Sequence, residues 1–140
     1  MSRESDLKRF WLNVAKRDDG CWFWTASKNT GGYGHFMYGG QRGNAHRFAY
    51  EALVGPIPEG LVLDHLCRVR HCVNPDHLEP VTMRVNSLRG EGPSAKNAVK
   101  THCKQGHEFS ASNTYVTPRG RRQCRTCQRS RQRTWRRSAA

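Results

Sequence analysis

Apolar residues recur first at helical and then at strand spacing. Leu7, Phe10, Trp11 and Val14 fall on one face of a helix over residues 5–16, which Asp18-Asp19-Gly20 stops. Cys21 to Trp24 reads as a strand, because aromatic side chains favour a pleated, half-buried surface. Asn29 to Gly32 makes a turn, Tyr33 to Tyr38 a second strand, and Gly39-Gly40 another turn. Asn44 can cap a helix over 45–54, with Phe48, Ala52 and Leu53 apolar, and Pro56 and Pro58 forbid its continuation. Leu61 to His65 is a strand that ends in polar residues. A cysteine-bearing loop over 66–76 follows, then a returning strand over Leu78 to Val81 and a helix over 83–89 capped by Thr82. Further on, the pattern predicts a hairpin (115–117 with 121–123) and a basic helix over 124–137. Trp22, Trp24, Tyr33, Phe36 and Phe48 are expected in the core. This mixture predicts an α+β fold class.

Composition narrows the function. The chain has 140 residues, of which 36% are hydrophobic, a small share for a core that must hold without help. No apolar run approaches the ~18 residues of a membrane span. The first twenty residues lack the apolar core of a secretory signal, so an intracellular protein is expected, with no membrane partner. The formal charge is +13, and it is uneven. Residues 1–90 hold 12 basic and 9 acidic side chains, and residues 91–140 hold 12 and 2. One half is nearly balanced and suits chemistry; the other suits a polyanion. The expected organisation is a domain over 1–90, a small polar linker over 91–101, and a module over 102–140.

Six cysteines interspersed with histidines favour zinc over disulfides. Cys67, Cys72 and His77 stand five residues apart, and Cys21 is the remaining cysteine of the front half, so it completes a tetrahedral set. Cys103 and His107 form one pair and Cys124 and Cys127 another, with the hairpin between them, which is the arrangement of a zinc finger. His102 is the neighbouring alternative to His107. Two structural zinc ions are therefore expected.

A third group, Asp64-His65 with Asn86, carries a family resemblance. The stretches CWFWTA (21–26), GYGHF (32–36), AHRFAYE (45–51) and LDHLCRVRHCVNPDHLEPVTMRVN (63–86) resemble the phage-type HNH endonucleases, whose core is a ββα-metal motif. The spacing His65-x-Cys67-x4-Cys72-x4-His77-x8-Asn86 also resembles the His-Cys box homing endonucleases. The resemblance covers about half of the chain. It implies a zinc-stapled ββα-metal nuclease core that hydrolyses phosphodiester bonds of double-stranded DNA, by a nick or a double-strand cut. His65 is then the general base, and Asp64 and Asn86 hold one divalent ion, Mg²⁺ by preference. The position nine before Asn86, where the family has a bracing asparagine, is His77 here, so a metal braces the loop instead. A bacterial cytoplasm and a phage origin fit the same resemblance.

The residues agree with this chemistry. An imidazole of ordinary pKa, ~6.5, is mostly neutral at neutral pH and accepts a proton. A carboxylate and an amide oxygen are hard donors that suit Mg²⁺. Neighbours on a strand face opposite ways, so Asp64 and His65 serve one site only at the strand's end. Asn74 is expected to bond loop backbone. Arg47 can neutralise the phosphate in the transition state or form a structural ion pair. Arg119, Arg121, Arg122, Arg125, Arg129, Arg131, Arg133, Arg136 and Arg137 form an arginine-rich tail suited to DNA, since guanidinium forks onto phosphate oxygens. The alternative is a catalytically silent zinc protein that binds DNA. No dimerisation element stands out, which leaves monomer or homodimer open.

Overall fold

The computed structural model describes residues 2–139. The fold is α+β, and the chain separates into two compact units that divide between Gly90 and Glu91.

In the first unit, α1 (Arg3–Trp11) starts where the Ser2 side chain accepts from the Ser5 amide at 3.3 Å. It stops earlier than the apolar spacing suggests. The Asn13 side-chain amide donates to the Arg9 carbonyl at 2.9 Å, taking over a carbonyl that a longer helix would bond. Val14 then leaves the helix face and opens β1 (Val14–Lys16), which pairs antiparallel with β2 (Trp22–Trp24). A second hairpin joins β3 (His35–Tyr38) to β4 (Gln41–Asn44), and α2 (Ala45–Leu53) follows without a loop. Asn44 occupies the cap position, but its side chain makes no capping bond.

The core lies among α1, β2, β3 and α2. Phe10, Trp24, Phe36, Phe48 and Val73 are buried there with Ala45 and Ala49. Phe10 stacks on Trp24 and touches Phe36 and Phe48, with centroids 5.2–5.7 Å apart. Each such ring removed from water contributes roughly 1.5–3 kcal/mol. Gly34 permits a close approach: a Cβ there would lie 2.5 Å from the Trp24 ring. Asp6 ties α1 to the tip of the second hairpin. It is 3% exposed, accepts from the Gly39 amide at 3.0 Å and pairs with Arg9 at 2.5 Å.

The third hairpin carries the candidate site. β5 (Leu61–His65) pairs with β6 (Leu78–Thr82) along its whole length, from Leu61 opposite Thr82 to His65 opposite Leu78. A single 3₁₀ turn, Pro75–His77, precedes β6. The Thr82 hydroxyl then accepts from the Val85 amide at 3.3 Å and starts α3 (Met83–Arg89), which packs on both strands.

In the second unit, the stretch read as a linker holds a short helix, α4 (Pro93–Ala98). A hairpin of β7 (Thr114–Val116) and β8 (Arg122–Cys124) leads directly into α5 (Arg125–Ser138).

Candidate metal centres and nuclease site

The first metal cluster is assembled by β2 and the cysteine loop. The Trp24 amide donates to the His71 carbonyl at 2.9 Å and the Val73 amide to the Trp22 carbonyl at 2.8 Å. These bonds bring Cys21, at the foot of β2, to Cys72. Asn74 bonds loop backbone as expected: its amide donates to the Gly20 carbonyl at 2.7 Å, and its oxygen accepts from the Asp76 amide at 3.1 Å. The donor atoms of Cys21, Cys67, Cys72 and His77 all lie within 4.8 Å of one another. Cys21 Sγ stands 3.5 Å and Cys72 Sγ 3.7 Å from His77 Nδ1. Zinc bonds of ~2.3 Å to sulfur and ~2.05 Å to nitrogen imply a tetrahedral edge of about 3.6 Å, so the set fits that ion. Burial and the neighbouring Cys72 and Cys67 sulfurs push the Cys21 thiol up to about 12. A bound cation would remove that cost.

The second cluster has the same dimensions. Cys103, His107, Cys124 and Cys127 converge within 4.8 Å. His107 Nδ1 lies 3.5 Å from Cys103 Sγ and 3.3 Å from Cys127 Sγ, and the two sulfurs are 3.7 Å apart. His102 turns to the Thr101 hydroxyl instead, at 2.9 Å. A hydrogen bond from the Cys127 backbone amide lowers the Cys124 thiol to about 6, while burial and the adjoining Cys103 and Cys124 sulfurs raise that of Cys127 to about 11. Both clusters can therefore hold zinc.

Asp64 and His65 end β5, and both are buried. They meet different partners, as adjacent strand residues must. The Asp64 carboxylate takes Arg68 at 2.8 Å and Arg89 of α3 at 3.5 Å, and Arg89 also pairs with Glu79. Arg68 reaches Asp64 from a backbone with φ of +60°, the one non-glycine residue in the left-handed region among those described. His65 Nε2 lies 3.0 Å from the Cys72 carbonyl. Its ring meets that of His46 at 4.8 Å and that of Tyr33 at 5.8 Å. Burial holds the His65 imidazole below its ordinary range, against the raising effect of the Cys72 carbonyl and Asp64. Burial also lowers His46 to about 3, with His65 and Arg47 adding to it. His46 Nδ1 is buried with no hydrogen-bond partner. Asn86 lies half-buried in the middle of α3, the helix packed over β5 and β6.

Tyr33 thus stands beside His65 rather than in the central core, and nothing in the residue pattern separated it from Trp24 or Phe36. The aromatic contact of His46 was equally hidden, although the position of His46 at the start of an amphipathic helix was visible. Arg47, one residue on, lies 3.7 Å from Glu51.

In the second unit, Asn113 anchors the start of α5, its oxygen accepting from the Thr126 amide at 3.0 Å and the Thr126 hydroxyl at 2.8 Å. Beyond Gln128 the described residues of α5 are exposed. Arg125, Arg129, Arg133 and Arg137 recur every four residues and form one face, with Arg136 beside them. Arg131 points elsewhere around the helix, and Arg119 and Arg121 flank the β7–β8 turn. Arg122 is committed internally: it donates to the Ala98 carbonyl at 3.0 Å, bonds that of Asn97, and covers the Phe109 ring.

Residues 44–88 match the family model described as HNH endonuclease. The chain is 39% identical over 67 residues to Protein 7.7 of Escherichia phage T7, covering 48% of this chain and 52% of that protein. It is 36% identical over 55 residues to the uncharacterized gene 5.3 protein of Enterobacteria phage T3, covering 39% and 48%. The chain thus spans about half the length of these curated relatives. No solved structure matches it. Among the described residues no helix is long and apolar enough to cross a membrane. Residues 44–88, the stretch similar to the HNH endonucleases, thus carry Asp64, His65 and Asn86 on a hairpin and the helix packed against it.

Proposed function

We propose that this protein is a divalent-metal-dependent DNA endonuclease in which His65 takes the proton of the attacking water. The observation that carries the reading is the hydrogen bond between His65 Nε2 and the Cys72 carbonyl, within a segment that matches the HNH endonuclease family. A carbonyl oxygen only accepts, so Nε2 is the protonated nitrogen and Nδ1 keeps a lone pair for a proton. The first cluster supports the same geometry, because Cys72 is at once a candidate zinc ligand and the residue that orients the base. Asp64 and Asn86 offer a carboxylate and an amide oxygen, which fit a hard divalent ion such as Mg²⁺. When bound, that ion supplies charge stabilisation at the phosphate. Arg68 and Arg89 balance the Asp64 carboxylate until it is needed. Zinc in the two clusters is structural, and the exposed arginine face of α5, in the second compact unit, grips the phosphates of duplex DNA. An intracellular setting follows from that substrate.

The alternative is a DNA-binding protein that does not cut. The one observation in its favour is that Asp64 already has two guanidinium partners. Supercoiled plasmid with Mg²⁺ decides between them. The wild type is expected to relax or linearise the plasmid, and His65→Ala to bind DNA without cutting it. Binding without cleavage by the wild type, across Mg²⁺ and Mn²⁺, overturns the nuclease reading.

A further inference from the structure

The first unit carries a groove of about 400 Å³ lined by His35, Tyr38, Arg42, Gly43, Asn44 and Arg47. No acidic side chain lines it. Its floor is built into the fold: the Tyr38 ring packs on Phe48 at 4.9 Å and stacks on Phe36 at 6.0 Å. Tyr38 can lie over β4 only because residue 43 is glycine, since a Cβ there would come within 2.5 Å of the ring.

The rim is cationic. Among the described residues Arg42 makes no ion pair, whereas Arg9, Arg68 and Arg89 all do. Arg47 has only the long contact with Glu51, and both side chains are more than a third exposed, so that pair offers little competition to a better anion. The groove also adjoins the cleavage site through the chain itself. At the start of α2, His46 turns its ring to His65 while Arg47, the next residue, lines the groove.

We infer that the groove between the β3–β4 hairpin and the start of α2 is a second nucleic-acid contact, in which Arg42 and Arg47 hold backbone phosphates of the duplex beside the cleavage site. This rests on the DNA reading above. It assigns the nuclease unit a grip of its own, apart from the arginine face of α5. Arginine suits the role because its planar fork meets two phosphate oxygens at once.

The test is the salt dependence of binding by the full-length protein to a labelled duplex. Each phosphate contact contributes about 0.9 to the slope of log K against log salt. Arg42→Ala/Arg47→Ala is expected to lower the slope by about two. Lys8→Gln/Lys16→Gln, which removes the same charge from residues outside the groove, is expected to leave it unchanged. Arg42→Glu alone, on an exposed strand position, is expected to weaken binding more than Arg42→Ala while the thermal midpoint holds. An unchanged slope in the arginine variant, or an equal fall in the lysine variant, overturns the inference while leaving DNA binding by the wild type intact. Absence of DNA binding by the wild type itself would instead remove the reading on which the inference rests.

Discussion

The ring of His46 stands at 67° to that of His65, with centroids 4.8 Å apart, and its own Nδ1 is buried without a partner. Evidently its ring, rather than a hydrogen bond, is what faces the proposed base. His46→Ala would leave a gap into which His65 can turn. Loss of alignment of that kind costs up to about 100-fold in rate. Steady-state cleavage is expected to show the fall in kcat with KM little changed. His46→Phe, which restores a ring, is expected to recover most of the rate.

Metal removal should separate the two units. Purified protein is expected to hold two zinc ions per chain by elemental analysis. Cys72→Ser should lower the content to one and unfold the first unit, because binding at such sites supplies about 10–16 kcal/mol that doubles as folding energy. Cys124→Ser should also leave one ion, yet keep the near-ultraviolet signal of Trp24 and its neighbours, because that core belongs wholly to the first unit.

Asp6 gives the stability an acid limb. The Gly39 amide, followed by Arg9, holds its carboxyl below the usual value of 3.8. A folded pKa below the unfolded one means that the stabilisation is fully present above pH 4 and is lost as pH falls through the lowered value. Denaturant titrations of the wild type should therefore weaken below about pH 4. Asp6→Asn should be less stable at neutral pH and show a flatter acid limb.

Gly34→Ala should destabilise the first unit by about 1–3 kcal/mol, the cost of overpacking a filled core. The added methyl would meet Trp24 at 2.5 Å and Ala45 at 3.1 Å, and neither is a flexible side-chain end. Urea titration followed by tryptophan fluorescence measures it.

The elements that sequence reading located best are those set by short-range chemistry. Pro56 and Pro58 mark the end of α2, and the Thr82 cap marks the start of α3. The two metal sets were legible for a similar reason, because cysteine and histidine have few other uses at such spacings. What escaped were choices settled by distant partners. Val14 fits the apolar face of a longer helix, and only its pairing opposite Trp24 draws it into β1. Gln41 to Asn44 has no strand-forming composition, and it becomes β4 because the Gly39-Gly40 turn returns it along β3. Arg122 looked like part of a DNA-binding tail, and Phe109 and the α4 carbonyls claim it instead. The pairing of Asp64 with Arg89 was invisible for the same reason, since Arg89 reaches it from 25 positions away.

Cys21 and His77 lie 56 positions apart along the chain and 3.5 Å apart in space. During synthesis, then, Cys21 at the foot of β2 must wait for the segment through His77 to emerge before its cluster can close. A nascent chain halted just before that histidine has three of the four ligands and no returning strand for β5.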